Sequence, residues 1–288
     1  MKLVSFQTNH GPSLGVIDGD NVVDLGIARP DLPRELADLF RLGGDGLETA
    51  LQSASSASSA ARLPLEDITY LPPAGRTGKI ICLGRNFAEH AAEGGNPPPE
   101  YPMVFLRTTT SLVGHEGAII RPAISDHLDF EGELVAFIGK SGKNVPEGKA
   151  LDIVAGYSVF NDGSMRDYQR INLIAGKNFD STGGFGPAFV PASQLPPGGK
   201  DLRLQTRLNG QVVQDASTSE MIFDVAQTIA ILSQVMTLEP GDVLMMGTPS
   251  GVGAARKPPL FMKPGDVCEV EIEGVGLLRN MIVQEGQP

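Results

Sequence analysis

The chain has 288 residues, 41% of them hydrophobic, and a net charge of −11, enough for a large core and ordinary for a globular protein. With no basic run, this balance disfavours nucleic acid and anionic membranes as partners, and an anionic substrate would need a local cluster of cations or a metal. No window approaches a membrane span, no cleavable leader is evident, and Cys82 and Cys268 each sit in an apolar run, so we expect a cytoplasmic protein with two buried, reduced thiols.

The 35 glycines and 22 prolines indicate many turns and short strands. Residues 1–25 alternate, and the DGDN turn between two apolar runs predicts a hairpin. In LPRELADLFRLG, Leu36, Leu39, Phe40 and Leu42 share a helical face. SASSASSAAR, low in complexity, is either a linker or the exposed continuation of a helix begun in GLETALQ. KIICLGRN and PMVFLRT read as strands. GELVAFIGK and IVAGYSVFND are long and apolar, as central strands are. Asn209-Gly210 marks a hairpin. Asp224 caps a helix in which Val225, Ile229, Leu232 and Met236 recur. EPGDVLMMGTPSGVG reads as turn, strand and glycine loop, and PGDVCEVEIEGVGLLRNMI as a last hairpin. With no repeat and no regular β–α alternation, the expected class is α+β, built on a rolled, mixed sheet. We place a boundary near residues 65–75, with a small β-rich N-terminal domain over 1–70 and a larger domain over 71–288.

LDFEGELVAFIG raises the question of chemistry, because it reads as a buried strand yet carries Glu131 and Glu133. Residues two apart on a strand face the same way, about 6–7 Å apart at Cα, so both carboxylates can reach one point. Two ionised carboxylates that close repel unless a cation sits between them or one is protonated. Asp162 ends the next apolar strand and reaches the same point if the two strands are neighbours. Three hard oxygen ligands suit Mg²⁺, Mn²⁺ or Ca²⁺, and no Cys/His cluster competes. The alternative is an antiparallel strand with a wet face. Val135 and Phe137 lie on the acidic face and argue for a site mouth on a buried strand. Asp129 faces away and reads as a turn or hydrogen-bonding residue.

Beyond Asp162 the chain runs NDGSMRDYQR and GKNFDSTGGFGP; upstream stands CLGRNFAEHAAE, and late in the chain MMGTPSGVG. As an ordered set, EGE, ND-x-x-x-RD-x-Q, GK-x-FD and GTPSGVG resemble the fumarylacetoacetate hydrolase family over roughly residues 76–285. The resemblance implies a mixed-sheet β-roll, a divalent metal (Mg²⁺ or Mn²⁺, with Ca²⁺ possible) held by Glu131, Glu133 and Asp162, and a homodimer. It also implies chemistry on a small oxo-acid. The first expectation is a hydrolase cleaving a C–C bond in acylpyruvates and related 1,3-diketo acids. The alternative is an oxo-acid decarboxylase or hydroxymuconate-type isomerase using the same metal, and a silent binding protein is the third reading. Cleavage beside a ketone needs a water to attack one carbonyl and an electron sink at the other, which a cation chelated by a 2-oxo acid supplies.

In this frame His90 is the expected base, with Glu93 beside it at i, i+3 on a short helix. A carboxylate at one imidazole nitrogen fixes the tautomer and leaves the other to take a proton. For HxxE alone a surface helix is the plainer reading; the resemblance makes the pair a lid element, hinged at EGGNPPPEYP. Arg166 and Gln169 follow Asp162 at +4 and +7, and the three share a face if the chain is helical there. Arg166 would bind a carboxylate or hold the dimer interface, with an ion pair to Asp167 as rival, and Gln169 would hydrogen-bond a substrate oxygen. Lys177 is the expected oxyanion partner. Backbone N–H groups at Gly247 and Thr248 would receive a substrate carboxylate. Arg107-Thr108 stands where many relatives carry Lys-Pro, which would enlarge or re-aim the pocket. His115 and His127 read as loop histidines.

Overall fold

The computed structural model describes residues 1–73 and 78–286. Its centre is the strand Gly132–Ile138, buried on both faces along its whole length. That burial explains the unbroken apolar run after Glu133, since a strand covered on one side only would alternate. Val154–Asn161 pairs with it antiparallel, with Gly132 opposite Asn161, and Val243–Met245 flanks its other edge. Beyond lie Ile80–Gly84, parallel to Val243–Met245, and the edge strand Met103–Leu106. The sheet is therefore mixed, as expected for an α+β roll.

Alternate side chains of the central strand enter two different cores. Val135 and Phe137 join Phe160, Phe185, Phe189 and Met245, while Leu134, Ala136 and Ile138 join Leu204, Val270 and the helix residues Ile229 and Leu232. The second core is closed by a sheet ordered Gln211–Ser217, Arg203–Leu208, Val267–Ile272, Gly276–Gln284, Ile119–Arg121. It approaches closely: a Cβ on Gly132 would fall 2.3 Å from Thr206 Oγ1. The helix Val225–Val235 lies under this core. Asp224 caps it as predicted, accepting from the Gln227 N–H. The Asn209-Gly210 hairpin forms with both residues at positive φ, 52° and 79°, as a two-residue loop of that sequence requires.

The first 70 residues form strands and short helices, including the predicted hairpin across Asp18 and Asn21. Their sheet is continuous with the central one. Lys2–Thr8 bridges to Gly183–Pro191 at Leu3 and Phe189, and Thr69–Tyr70 pairs back onto Lys2–Thr8. Phe40 packs on Phe189 and Phe137 with centroids 5.2 and 6.3 Å apart. The predicted boundary at 65–75 falls partly on residues 74–77, outside the described residues. Leu36, Leu39 and Phe40 are buried as their spacing predicts, but Leu42 is 54% exposed, because the helix ends at Arg41 before Leu42 completes the face. SASSASSAAR continues the helix Gly44–Gln52 as short 3₁₀ turns, with Ala54 and Ala61 in the core. Both cysteines are free and buried. Among the described residues no helix is long and apolar enough to cross a membrane.

Candidate active site

The sheet pairing decides where the carboxylates go. Because Gly132 lies opposite Asn161, the residues just outside that pair, Glu131 and Asp162, meet across the strand ends. The Asp162 N–H donates to the Glu131 carbonyl at 2.8 Å. Glu131 and Glu133 share a face, and ligand oxygens of Glu131, Glu133 and Asp162 all lie within 4.8 Å of one another. All three side chains are buried. Asp162 arrives from the strand end: the helix Arg166–Ile171 starts four residues later, so the expected helical face of Asp162, Arg166 and Gln169 does not form. A two-residue bridge of Ser164–Met165 to Leu128–Asp129 intervenes.

Three cations are built into this cluster. Lys177 Nζ donates to Glu131 Oε2 at 2.5 Å and to Asp162 Oδ2 at 2.6 Å. Arg166 Nη2 lies 2.7 Å from Glu131 Oε1, while its Nε donates to Asp129 Oδ2 at 2.8 Å. The expected rival pairing with Asp167 is absent: Asp167 instead accepts from Ser125 Oγ. Asp129 is a hydrogen-bonding residue, also accepting from the N–H groups of Gly253 and Ala254, and so ties the glycine loop to the acidic strand.

Arg107 corrects the expectation drawn from its position. It does not line the cavity but lies buried behind Asp162, with Nη1 donating to Asp162 Oδ1 and to the Gly163 carbonyl. Nε donates to Ser111 Oγ, and Nη2 to Thr182 Oγ1 and the Ser111 carbonyl. A Cβ on Gly183 would sit 2.8 Å from Nη2, so the glycine makes room for the guanidinium. Arg107→Met leaves Asp162 buried with one cation fewer, and unfolding in urea should show a loss of about 3–5 kcal/mol. An unshifted midpoint would show that Asp162 does not depend on Arg107.

Glu133 is different. Its carboxylate has one hydrogen bond among the described residues, from the Gly247 N–H at 3.0 Å. The N–H expected to receive substrate is thus taken by a site carboxylate in this structure. Gly247 needs its φ of 86°, and a Cβ there would fall 2.8 Å from Asn86 Cβ.

These surroundings split the carboxyls. Burial would raise Glu131, but the charges of Lys177 and Arg166 outweigh it and hold the group at about 2. Burial and the neighbouring charges of Asp162 and Glu131 push Glu133 well above the ordinary carboxyl range. Burial works against the Lys177 ammonium, yet Asp162 and Glu131 hold its pKa above the ordinary lysine value. The donor set, three carboxylates without thiol or imidazole, fits a hard divalent cation. Such an ion would replace the proton on Glu133.

The sign of the pH dependence follows. Glu133, raised in the folded state, favours folding below the ordinary carboxyl pKa, and that contribution is lost as pH rises. Glu131, lowered, contributes above the ordinary value and loses its contribution as pH falls towards 2. Metal-free protein should therefore lose melting temperature as pH rises above the ordinary carboxyl range, and Mg²⁺ should raise it more at pH 8 than at pH 5. An equal Mg²⁺ shift at both pH values would contradict proton displacement.

All the predicted site residues except Asp162 and Gly247 line one cavity of ≈ 570 Å³. His90 and Glu93 lie on the helix Ala88–Glu93, and Nδ1 of His90 is 2.8 Å from Glu93 Oε1. Glu93 Oε2 accepts from the Gly251 N–H at 2.9 Å, and Glu89 accepts from Ser250 Oγ. The helix is thus latched to GTPSGVG, and Nε2 of His90 is left without a protein partner among the described residues. Gln169 Oε1 accepts from Arg166 Nη1, which leaves its amide NH₂ to donate. Thr248 Oγ1 accepts from Gln214 Nε2, which leaves its hydroxyl proton for the cavity.

Sequence reasoning missed Gln214 and Asn86. Gln214 also accepts from the Gly132 N–H. Asn86 binds the Met246 and Phe223 carbonyls. Both act through long-range contacts that leave no local pattern. His115 accepts from the Arg279 N–H and packs on Tyr70; His127 sits outside beside Asp126.

Residues 79–283 match the family described as Fumarylacetoacetate (FAA) hydrolase C-terminal. The mitochondrial oxaloacetate tautomerase fahd2 of Xenopus laevis is 39% identical over 293 residues, covering 98% of this chain and 90% of the relative. The crystal structure of a putative HpcE protein from Mycobacterium smegmatis is similar at TM-score 0.86 and 33% identity, covering 99% of this chain and 100% of that one. A maleylpyruvate hydrolase from Sphingobium sp. SYK-6, in complex with manganese(II) and pyruvate, is similar at TM-score 0.81 and 28% identity, covering both chains fully.

Proposed function

From the premise that the chain belongs to the fumarylacetoacetate hydrolase family, we propose that it is a Mg²⁺- or Mn²⁺-dependent tautomerase of 2-oxo acids. The observation that carries this reading is one cavity lined both by Glu131 and Glu133, of the acidic triad that the buried Asp162 completes, and by an imidazole–carboxylate pair. Such a site has one pole that grips a 2-oxo acid and one group that moves a proton. The tautomerase relatives, alike over nearly the whole chain, support it.

Glu131, Glu133 and Asp162 would hold the cation, which would supply Lewis-acid polarisation of the 2-oxo acid. His90 Nε2 takes a proton from C3, and Glu93 keeps the imidazole in the tautomer that can accept it. The proton returns to the oxygen that has gained the electron pair. Lys177 has three N–H donors and gives two to carboxylates, so the third can face that oxygen. The Gln169 amide and the Thr248 hydroxyl donate to the substrate carboxylate.

A second reading has a specific support. A cavity of ≈ 570 Å³ exceeds what a four-carbon acid fills, and the maleylpyruvate hydrolase has the same fold. With an acylpyruvate bound, His90 would take its proton from water, and the C–C bond would break. The experiment supplies enol-oxaloacetate, acetylpyruvate and fumarylpyruvate separately and identifies products by mass spectrometry. Accelerated ketonisation without cleavage is expected; cleavage of an acylpyruvate at higher kcat/KM would overturn the tautomerase reading for the hydrolytic one.

The homodimer is proposed on an exposed apolar face. Leu106 on the edge strand is 52% exposed, and Ile171 and Ile174 on the neighbouring helical turns 80% and 54%. Asn178 ties the two together by donating to the Leu106 carbonyl. Sedimentation should give a dimer at micromolar concentration and a monomer for Ile171→Asp; a monomeric parent protein would contradict it.

A further inference from the structure

Two cations in the cavity have no part in the scheme above. Arg85 and Arg170 both line it, both are exposed, and neither makes a side-chain hydrogen bond or ion pair with a described residue. The other two cations that line it, Arg166 and Lys177, are ion-paired at its buried end. In a chain of 34 acidic and 23 basic residues, two arginines without an acid partner in one cavity need a reason.

The backbone supplies a second observation. Arg85 has a φ of 56°, in the left-handed region that glycine enters freely and an arginine does not. The turn is imposed from its neighbour: the buried Asn86 bonds the carbonyls of Phe223 and Met246 and accepts from the Phe223 N–H. Glycine would suit this position better, so a strained arginine at a cavity is a sign of use by its side chain. Arg170 lies one helical turn after Arg166, on the same side of the helix Arg166–Ile171, and so faces the same cavity.

The burial gradient gives the direction. Glu131, Glu133 and Lys177 are buried, so the arginines stand at the open end. We propose that Arg85 and Arg170 form a second cationic pole at the cavity mouth, which binds a distal carboxylate and makes the substrates 2-oxo dicarboxylates. The guanidinium fork matches a carboxylate bidentately. This rests on the reading of the site as a 2-oxo-acid site.

The test is calorimetric binding to the Mg²⁺-loaded protein with two matched pairs. These are 2-oxoglutarate against 2-oxopentanoate, and 2-oxoadipate against 2-oxohexanoate; within each pair only the distal carboxylate differs. The parent protein should prefer the dicarboxylate by about tenfold or more in at least one pair. Arg85→Gln and Arg170→Gln should each weaken that dicarboxylate by about tenfold and leave its monocarboxylate within about twofold. Arg85→Gly should lose the same affinity without a drop in melting temperature, which separates ligand binding from folding. No preference in the parent protein, or an unchanged preference in both glutamine variants, would overturn this inference alone. Failure of all four acids to bind the parent protein would overturn it together with the 2-oxo-acid reading.

Discussion

Stripping the protein of divalent ions with EDTA should lower turnover by about a thousandfold or more, with Mg²⁺ or Mn²⁺ restoring it. The reason lies in the charge arrangement. Lys177, Arg166 and Arg107 satisfy Glu131 and Asp162, while among the described residues the Glu133 carboxylate has only the Gly247 N–H. Burial and two neighbouring anions then favour a proton on Glu133. A divalent cation would remove that conflict and, on the proposed reading, would supply the Lewis acid for a 2-oxo acid. Glu133→Gln should reproduce the loss with Mg²⁺ present and still fold, because the amide keeps the shape and can accept from Gly247. Full turnover in a preparation shown to be metal-free would exclude this account.

The second large effect is at His90. A positioned general base contributes about 10²–10⁴-fold, so His90→Ala should lower kcat by that order while the Mg²⁺ dissociation constant stays nearly unchanged. His90 is not among the three carboxylate ligands, and its contact is with Glu93. Glu93→Gln should fall between, at about 10–100-fold, because the amide holds the ring less well and weakens the latch to Gly251. Undiminished turnover by His90→Ala would remove it from the proton-transfer role. Loss of Mg²⁺ affinity in that variant would make it a metal residue instead.

Much of this was legible in the chain. Alternation put Glu131 and Glu133 on one face, and Val135 and Phe137 below them marked that face as buried; both enter one core. The position of Asp162 at the end of an adjoining strand sufficed to bring the third carboxylate in, since neighbouring strands fix register within a residue. The His90–Glu93 contact follows from helical spacing alone.

What stayed hidden was pairing across long separations. Lys2–Thr8 gives no sign of its partner Gly183–Pro191, because edge complementarity has no local pattern. Arg107 reads as a pocket residue until the fold buries it against Asp162. Gly247 reads as a free N–H until Glu133 is seen to take it. Arg85 looks ordinary in LGRN, and only its φ and its lack of a partner among the described residues make it conspicuous.

The most direct measurement is an anomalous-difference map from crystals soaked in Mn²⁺ with 2-oxoglutarate. One strong peak per chain, within bonding distance of carboxylate oxygens from Glu131, Glu133 and Asp162 and of the ligand's oxo-acid end, is the predicted result. Manganese bound elsewhere, or none between those three side chains at saturating concentration, would contradict the account.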